Sequence, residues 1–272
     1  MKTALVLSSL VAASRVGATS SAFCLRRLGI EAIVLPTTAL GRHPGWGQPG
    51  GKALDTSHLS AMWSAIKQQK IQIDAIMTGY LASDSQINLA LDIIKDVKAL
   101  NSKVLIIVDP VMGDHGHLYI PEQRAEALVT QLIPLADFIT PNAWEFSYIT
   151  KCKNQTLAQI QNSATKLPMQ SLITSVPLAH EIGALLTLKD QAYLVRHQKF
   201  ETVPHGGGDA LAATFLAHLL SGQTPQDSLA RSVASIFSIL SAAISSDVGE
   251  LPLIREQNAL IDTKSLTLEL LK

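Results

Sequence analysis

The sequence predicts an α/β fold: a mostly parallel central sheet with helices on both faces and antiparallel strands at one edge. Three observations lead there. Short apolar runs alternate with amphipathic segments along the 272 residues, as in repeated strand–helix–strand units. Val104–Val108 is apolar without interruption, as a strand covered on both faces must be. Glu181–Leu188 and Gln191–Lys199 flank Lys189-Asp190 and read as a hairpin, which places antiparallel strands at an edge. No repeat, low-complexity tract or linker divides the chain, so residues 1–272 are expected to form one domain.

Taken in order, Ala4–Leu7 is the first buried strand. A loop follows, then a helix carrying Phe23, Arg26, Arg27 and Leu28 that stops at Gly29. Ala32–Leu35, Ala75–Met77, Val104–Val108, Phe138–Thr140 and Ser171–Thr174 are the next strands. Helical spacing marks His58–Gln69, Gln86–Leu100, Glu122–Leu132 and Leu157–Leu167 between them. Thr224–Ser245 reads as a long helix rich in alanine and serine. Ligands of open α/β sheets sit beyond the carboxyl ends of the strands. Ser8-Ser9, Thr37, Thr78-Gly79-Tyr80, Asp109, Asn142 to Glu145 and Thr174-Ser175 stand at those ends and are expected to converge on one cleft.

Composition excludes several function classes. Lysine plus arginine equals aspartate plus glutamate, 22 each, so there is no basic footprint for nucleic acid or anionic membrane. No uninterrupted apolar run reaches the ~20 residues of a membrane span. The start, Met1-Lys2 followed by Ala4-Leu5-Val6-Leu7, has some signal-peptide character, but it reads better as strand one of the sheet. Cys24 and Cys152 are far apart and lack metal-ligand spacing. A reduced, cytoplasmic protein is the expectation.

Two glycine clusters are decoys. Gly45-Trp46-Gly47-Gln48-Pro49-Gly50 fits the dinucleotide fingerprint, yet it lies beyond its strand, contains proline and precedes no helical pattern. A NAD-dependent enzyme is therefore a weak alternative. Gly50-Gly51-Lys52-Ala53 fails as a phosphate loop because Ala53 cannot ligate magnesium. Residues 37–53 read instead as a lid or substrate loop. His115-Gly116-His117 reads as a solvated loop rather than a metal site.

Three motifs carry chemistry. In His205-Gly206-Gly207-Gly208-Asp209 a glycine run opens the apolar helix from Ala210 to Leu220. Glycine amides and a helix N-terminus make an anion site, and an aspartate there can take a proton from a hydroxyl. The plain alternative is a turn with Asp209 as N-cap. Asp109-Pro110-Val111-Met112-Gly113-Asp114 ends a central strand, where aspartates can orient magnesium on a nucleotide. Thr140-Pro141-Asn142-Ala143-Trp144-Glu145 caps another strand. Glu145 could reach a metal through water and Asn142 could bond phosphate, or the pair could simply cap a helix.

With these motifs in this order, the chain resembles the pyridoxal (pyridoxine/pyridoxamine) kinases of the ribokinase-like superfamily. The likeness also rests on Leu7-Ser8-Ser9, Arg26-Arg27-Leu28-Gly29, Thr78-Gly79-Tyr80-Leu81, Leu118-Tyr119-Ile120-Pro121 and Ile173-Thr174-Ser175. It implies a three-layer α/β/α fold and phosphorylation of the 5′-hydroxyl of a pyridoxal-type vitamer, the salvage step to pyridoxal 5′-phosphate. By resemblance Asp209 is the base, and Gly206, Gly207 and Gly208 form the anion hole. Ser9, His43, Gly45 and Tyr80 contact the vitamer. Asp109, Asp114, Asn142, Glu145, Thr174 and Ser175 serve the nucleotide, with Asp109 and Glu145 holding its magnesium largely through water. ATP and Mg2+ are implied, a monovalent cation is left open, and a homodimer meeting through its edge and lid segments is expected.

The chain departs from the family pattern at four places. Gly207 replaces a threonine, Ala18 an asparagine, Leu10 a polar residue, and Pro44 the polar residue after the lid histidine. Apart from Gly207, they fall at the substrate end, so kinase chemistry is better supported than the acceptor's identity. A hydroxymethylpyrimidine kinase of the same superfamily and a non-catalytic vitamer-binding relative are the alternatives.

Overall fold

The computed structural model describes residues 1–153, 156–246 and 249–271. Among them, ten strands form one sheet. In chain order these are β1 (Thr3–Val11), β2 (Glu31–Leu40), β3 (Gly51–Ala53), β4 (Ala75–Thr78), β5 (Leu105–Val108), β8 (Phe138–Ile139), β9 (Gln170–Pro177), β10 (Glu181–Thr187), β11 (Ala192–Gln198) and β12 (Leu268–Leu271). A small separate ribbon pairs β6 (Gly113–Asp114) with β7 (His117–Leu118). The sheet order is β12-β11-β10-β9-β8-β5-β4-β1-β2-β3. The middle, β9 through β2, is parallel. Antiparallel strands close both edges: β10, β11 and β12 at one and β3 at the other.

The alternation of side chains along each strand supplies two cores. Ala4 and Val6 of β1 face the cluster built with α1 (Gly17–Arg27), α7 (Gly207–Leu220) and α8 (Pro225–Ser245). Leu5 and Leu7 face the other, built with α2 (Thr56–Gln68), α3 (Asp84–Leu100) and α4 (Glu122–Ala127). A smaller cluster around Phe146 and Ile160 seats α5 (Ala143–Thr150) and α6 (Leu157–Ala164) beside β9 and β10. The three-layer α/β/α arrangement follows, as the alternating sequence predicts. Gly29 ends α1 with φ +80°, and Ile30 N–H reaches back to Leu25 O at 3.0 Å, the left-handed stop that glycine provides.

Some boundaries differ from the sequence expectation. The helix expected over Glu122–Leu132 stays α-helical only to Ala127. It widens to a π-turn over Leu128–Leu132 and ends in a short 3-10 turn over Ile133–Leu135, where Pro134 cannot continue the α ladder. The lid expected over 37–53 is strand at both ends, because Thr37 and Thr38 are buried in β2 and Gly51–Ala53 pairs back onto it. Only the tip is a turn. Strands β3 and β12 are too short and too polar or exposed to announce themselves in sequence.

One correction concerns membrane length. By length and composition α8 could cross a membrane, with mean hydropathy 1.4. Asp227, Arg231 and several serines interrupt its apolar residues, so a search for continuous runs passes it by. In the fold 56% of that window is buried, and α8 packs on α7, β10 and β11 as a core helix does.

Candidate active site

The parallel register aligns the carboxyl ends of β4, β5 and β8 with the middle of β1 and the start of β9. Leu7, Thr78, Val108 and Ile139 stand level across β1, β4, β5 and β8, with Ser171 of β9 beyond them. The next residues, Ser8, Gly79, Asp109 and Thr140, therefore form one row, and Asn142 bridges to Thr174 beside it. Of the strand-end residues expected to converge, the register aligns Ser8, Gly79 and Asp109 and sets Asn142 and Thr174 beside them. Ser8 and Thr78 bury hydroxyls that find no protein partner among the described residues.

Helix α7 begins at this row. Gly206 is its N-cap with φ +92°, and a Cβ there would collide with the carbonyl of Arg15. Glycine is therefore required by both conformation and space. The first bond of the helix runs from Ala210 N–H to Gly206 O at 3.0 Å. The amides of Gly206, Gly207 and Gly208 precede it and remain for an anion. Asp209 sits at the third helical position and is not the N-cap of the plain alternative. The amide dipoles of Gly17, a residue at φ +54° wedged against Ser9, and of Asp209 itself favour its carboxylate. Ser9, Gly17 and Asp209 are thus one cluster. Burial pushes the Asp209 carboxyl up to about 6, against the pull of those two amides.

Asp109 and Glu145 lie next to it. Asp109 is buried at the end of β5, and its carboxyl is raised well above the usual range by burial, then by the negative charges of Asp209 and Glu145. Thr140 and the Val111 amide oppose the rise. Val111 is β-branched yet has φ +41°, a strained turn. The turn aims the next two amides at Glu145: Oε1 accepts Met112 N–H at 2.8 Å and Gly113 N–H at 3.3 Å. Oε2 accepts Asn142 N–H at 2.9 Å, while Asn142 Oδ1 accepts Glu145 N–H at 2.8 Å, completing a capping box. Burial raises Glu145 to about 7 despite these three donors.

Asn142 has a second backbone bond, Nδ2 to Gly113 O at 2.9 Å. Of the two readings of Asn142, capping and phosphate binding, its hydrogen bonds here are those of capping. Asp114 opens the β6–β7 turn, where it accepts His115 N–H at 2.7 Å, and its charge adds to the rise at Glu145. His115 and His117 are exposed turn residues, as expected. Thr174 is half-buried beside Asn142, with its N–H on Pro141 O at 2.9 Å, and Ser175 is exposed at φ +56°. The main chain of Tyr80 is tied to the lid's base by Thr37 Oγ1 at 2.7 Å. His43 caps the short turn Pro44–Trp46, and Pro44 at its first position suits the fixed φ of proline.

Among the described residues no three His, Cys, Asp or Glu side chains are grouped to chelate an ion. The donor set nevertheless fits magnesium held through water. The negative charges of Asp209 and Glu145 both act on the Asp109 carboxyl, and a bound cation would relieve that repulsion. Sequence reasoning missed the close packing of Gly17 on Ser9 and noted Gly17 only for its neighbour Ala18. It also missed Glu250, which accepts Ser14 Oγ at 2.6 Å and Arg15 N–H at 2.9 Å below the bend. No local pattern links residues that far apart.

Comparison with known proteins supplies the family. Residues 38–253 match the phosphomethylpyrimidine kinase family. The chain belongs to that family. Like its relatives, it is a kinase with an α/β/α fold. It is 31% identical to the pyridoxine/pyridoxal/pyridoxamine kinase of Bordetella avium over 90% of this chain and 86% of that one. Pyridoxal kinase from Entamoeba histolytica superimposes with a TM-score of 0.93 at 24% identity, covering both chains fully. A Bacteroides thetaiotaomicron protein crystallised with pyridoxal gives 0.88 at 26% identity over 99% of each chain.

Proposed function

We propose that this kinase transfers the γ-phosphoryl group of ATP to the 5′-hydroxyl of pyridoxal, pyridoxine or pyridoxamine. The observation that carries the reading is the placement of Asp209. It stands three residues into α7, past a bend with three available amides, beside Ser9 and Asp109. In this reading its carboxylate takes the hydroxyl proton as the oxygen attacks phosphorus. The amides of Gly206, Gly207 and Gly208, with the partial charge of the helix, receive the three equatorial oxygens of the migrating group. Ser9 orients the pyridine ring, Tyr80 packs near it, and His43 with Gly45 closes the turn over it. Asp109 and Glu145 would hold magnesium through water, with Thr174, Ser175 and Asp114 along the nucleotide side. Bound magnesium supplies neutralisation of the triphosphate. The enzyme acts in the cytoplasm as a homodimer in the same reading.

The relative from Bordetella avium and the pyridoxal-bound neighbour support the acceptor. The family match itself favours a second reading, a hydroxymethylpyrimidine kinase, which shares the nucleotide half. ADP release with Mg-ATP, measured against pyridoxal, pyridoxine, pyridoxamine and hydroxymethylpyrimidine, separates the two. Release with the B6 vitamers is expected. Release with the pyrimidine alone overturns the acceptor assignment, and tight vitamer binding with no release would mean a non-catalytic relative.

A further inference from the structure

Several chain segments meet at His205, and none of the roles above uses it. His205 directly precedes the bend. Its imidazole stacks on that of His43, centroids 4.3 Å apart and planes 25° from parallel. His43 is itself fixed within the β2–β3 turn: Nδ1 accepts Gly45 N–H at 3.1 Å, and Trp46 stands edge-on at 6.1 Å. A Cβ at Gly45 would lie 2.9 Å from His43 Nδ1 and 3.4 Å from His205 Nε2, so glycine lets the turn settle onto the ring pair. From below, Glu250 ties down Ser14 and Arg15, and the Arg15 carbonyl lies directly under Gly206. The bend is thus supported from underneath by hydrogen bonds. The turn tip is held otherwise: among the described residues, the hydrogen bonds of residues 42–48 close within the turn, Arg42 to Pro49 and Gln48, Gly45 and Trp46 to His43, Gly47 to Pro44.

We propose that His205 is a positioning residue whose ring docks His43, and so latches the 42–50 turn closed over the acceptor while the adjoining amides handle the phosphoryl group. The inference rests on the phosphoryl-transfer reading of the bend. Its chemical consequence is a choice of acceptor. With the turn latched, the vitamer hydroxyl is oriented and water excluded. With it open, water attacks the γ-phosphorus and the products are ADP and inorganic phosphate instead of ADP and the phosphorylated vitamer. Because His43 Nδ1 is an acceptor, the latched ring is neutral. Protonation removes the Gly45 bond and sets a cation against His205, with Glu250 the charge that opposes this from the other side. The latch therefore weakens as pH falls.

His205→Ala and His205→Phe in the full chain test it, because phenylalanine keeps a flat ring and alanine does not. Without ligands, hydrogen exchange of residues 42–50 should accelerate about two- to tenfold in H205A, the range expected for loss of an aromatic pair, and stay near wild type in H205F. With Mg-ATP and pyridoxal, H205A should raise the KM for the vitamer and the share of ADP formed with inorganic phosphate. The KM for ATP should hold within about twofold, and H205F should recover most of the vitamer KM. Unchanged exchange in H205A overturns the latch whatever the acceptor proves to be. So does an H205F as impaired as H205A, or a loss of kcat with both KM values intact. Wild-type inactivity toward every vitamer instead defeats the functional reading and leaves the exchange result to decide the latch.

Discussion

The floor of the cleft and the turn above it are held by opposite means. Asp109 is set on a strand end, Glu145 and Asp209 on the first turns of two helices, and the Glu145 carboxylate accepts the amides of Met112, Gly113 and Asn142. The 42–50 turn is mostly exposed, rich in glycine, and bonded largely to itself. The difference teaches where each task resides. Transfer chemistry needs groups held within fractions of an ångström, so it sits on the rigid sheet. Choice of acceptor can sit on a surface turn that opens for entry. Of the departures from the family pattern, Pro44 lies in that turn, while Leu10 stands on β1 and Ala18 is buried in α1.

The contrast can be broken or sharpened by substitution. Asp209→Asn should lower turnover by about 10²–10⁴-fold, the usual contribution of a general base, while ATP affinity measured by calorimetry stays near wild type. Near-normal turnover would remove Asp209 from the chemistry. Gly206→Ala should displace the bend, because its Cβ meets the Arg15 carbonyl at a φ that L-residues avoid. A loss of about 1–3 kcal/mol in stability and at least a tenfold drop in turnover are expected, read by thermal melting and initial rates.

The acidic floor also predicts two pH dependences of opposite use. The base must be ionised, and its carboxyl lies near 6, so kcat/KM should fall about tenfold per unit below that pH and level off above pH 7. For stability the sign reverses. The folded state keeps protons on raised carboxyls that the unfolded chain gives up near 4, so these groups weaken the fold as pH rises from about 4 through 6. Asp209→Asn should therefore melt higher than wild type at pH 8, with the gap closing toward pH 4. A lower melting point at pH 8 would mean that the amides around the carboxylate outweigh the cost of its burial. The smallest effect belongs to Gly207→Thr. A Cβ there meets only Leu240 at 3.9 Å, and Gly207 is not in the left-handed region. Turnover should stay within about twofold, with a gain of about 0.4–1 kcal/mol in stability from the less flexible unfolded chain.

Much of this was legible in the sequence. Apolar alternation marked the central strands, and Gly206 to Asp209, Asp109 and Glu145 stood out because glycine runs and strand-end acids have recognisable chemistry. The roles of Asn142 and Glu145 were ambiguous for a physical reason: a capping box and a metal-side acid share the same spacing, and only the Met112 and Gly113 amides show how far Glu145 is committed to backbone. The Glu250 tie and the His43–His205 stack were out of reach. Each joins segments that are distant along the chain, and pairing of that kind leaves no periodic trace.

The central claim is that the bend at Gly206–Gly208 binds the migrating phosphoryl group while Asp209 faces the attacking oxygen. A crystal structure with magnesium, a non-hydrolysable ATP analogue and pyridoxal tests it most directly. The account predicts γ-phosphate oxygens on the amides of the bend and the 5′-oxygen within ~2.6–3.2 Å of the Asp209 carboxylate. A triphosphate bound elsewhere, with the bend turned away from Ser9 and Asp109, would contradict it.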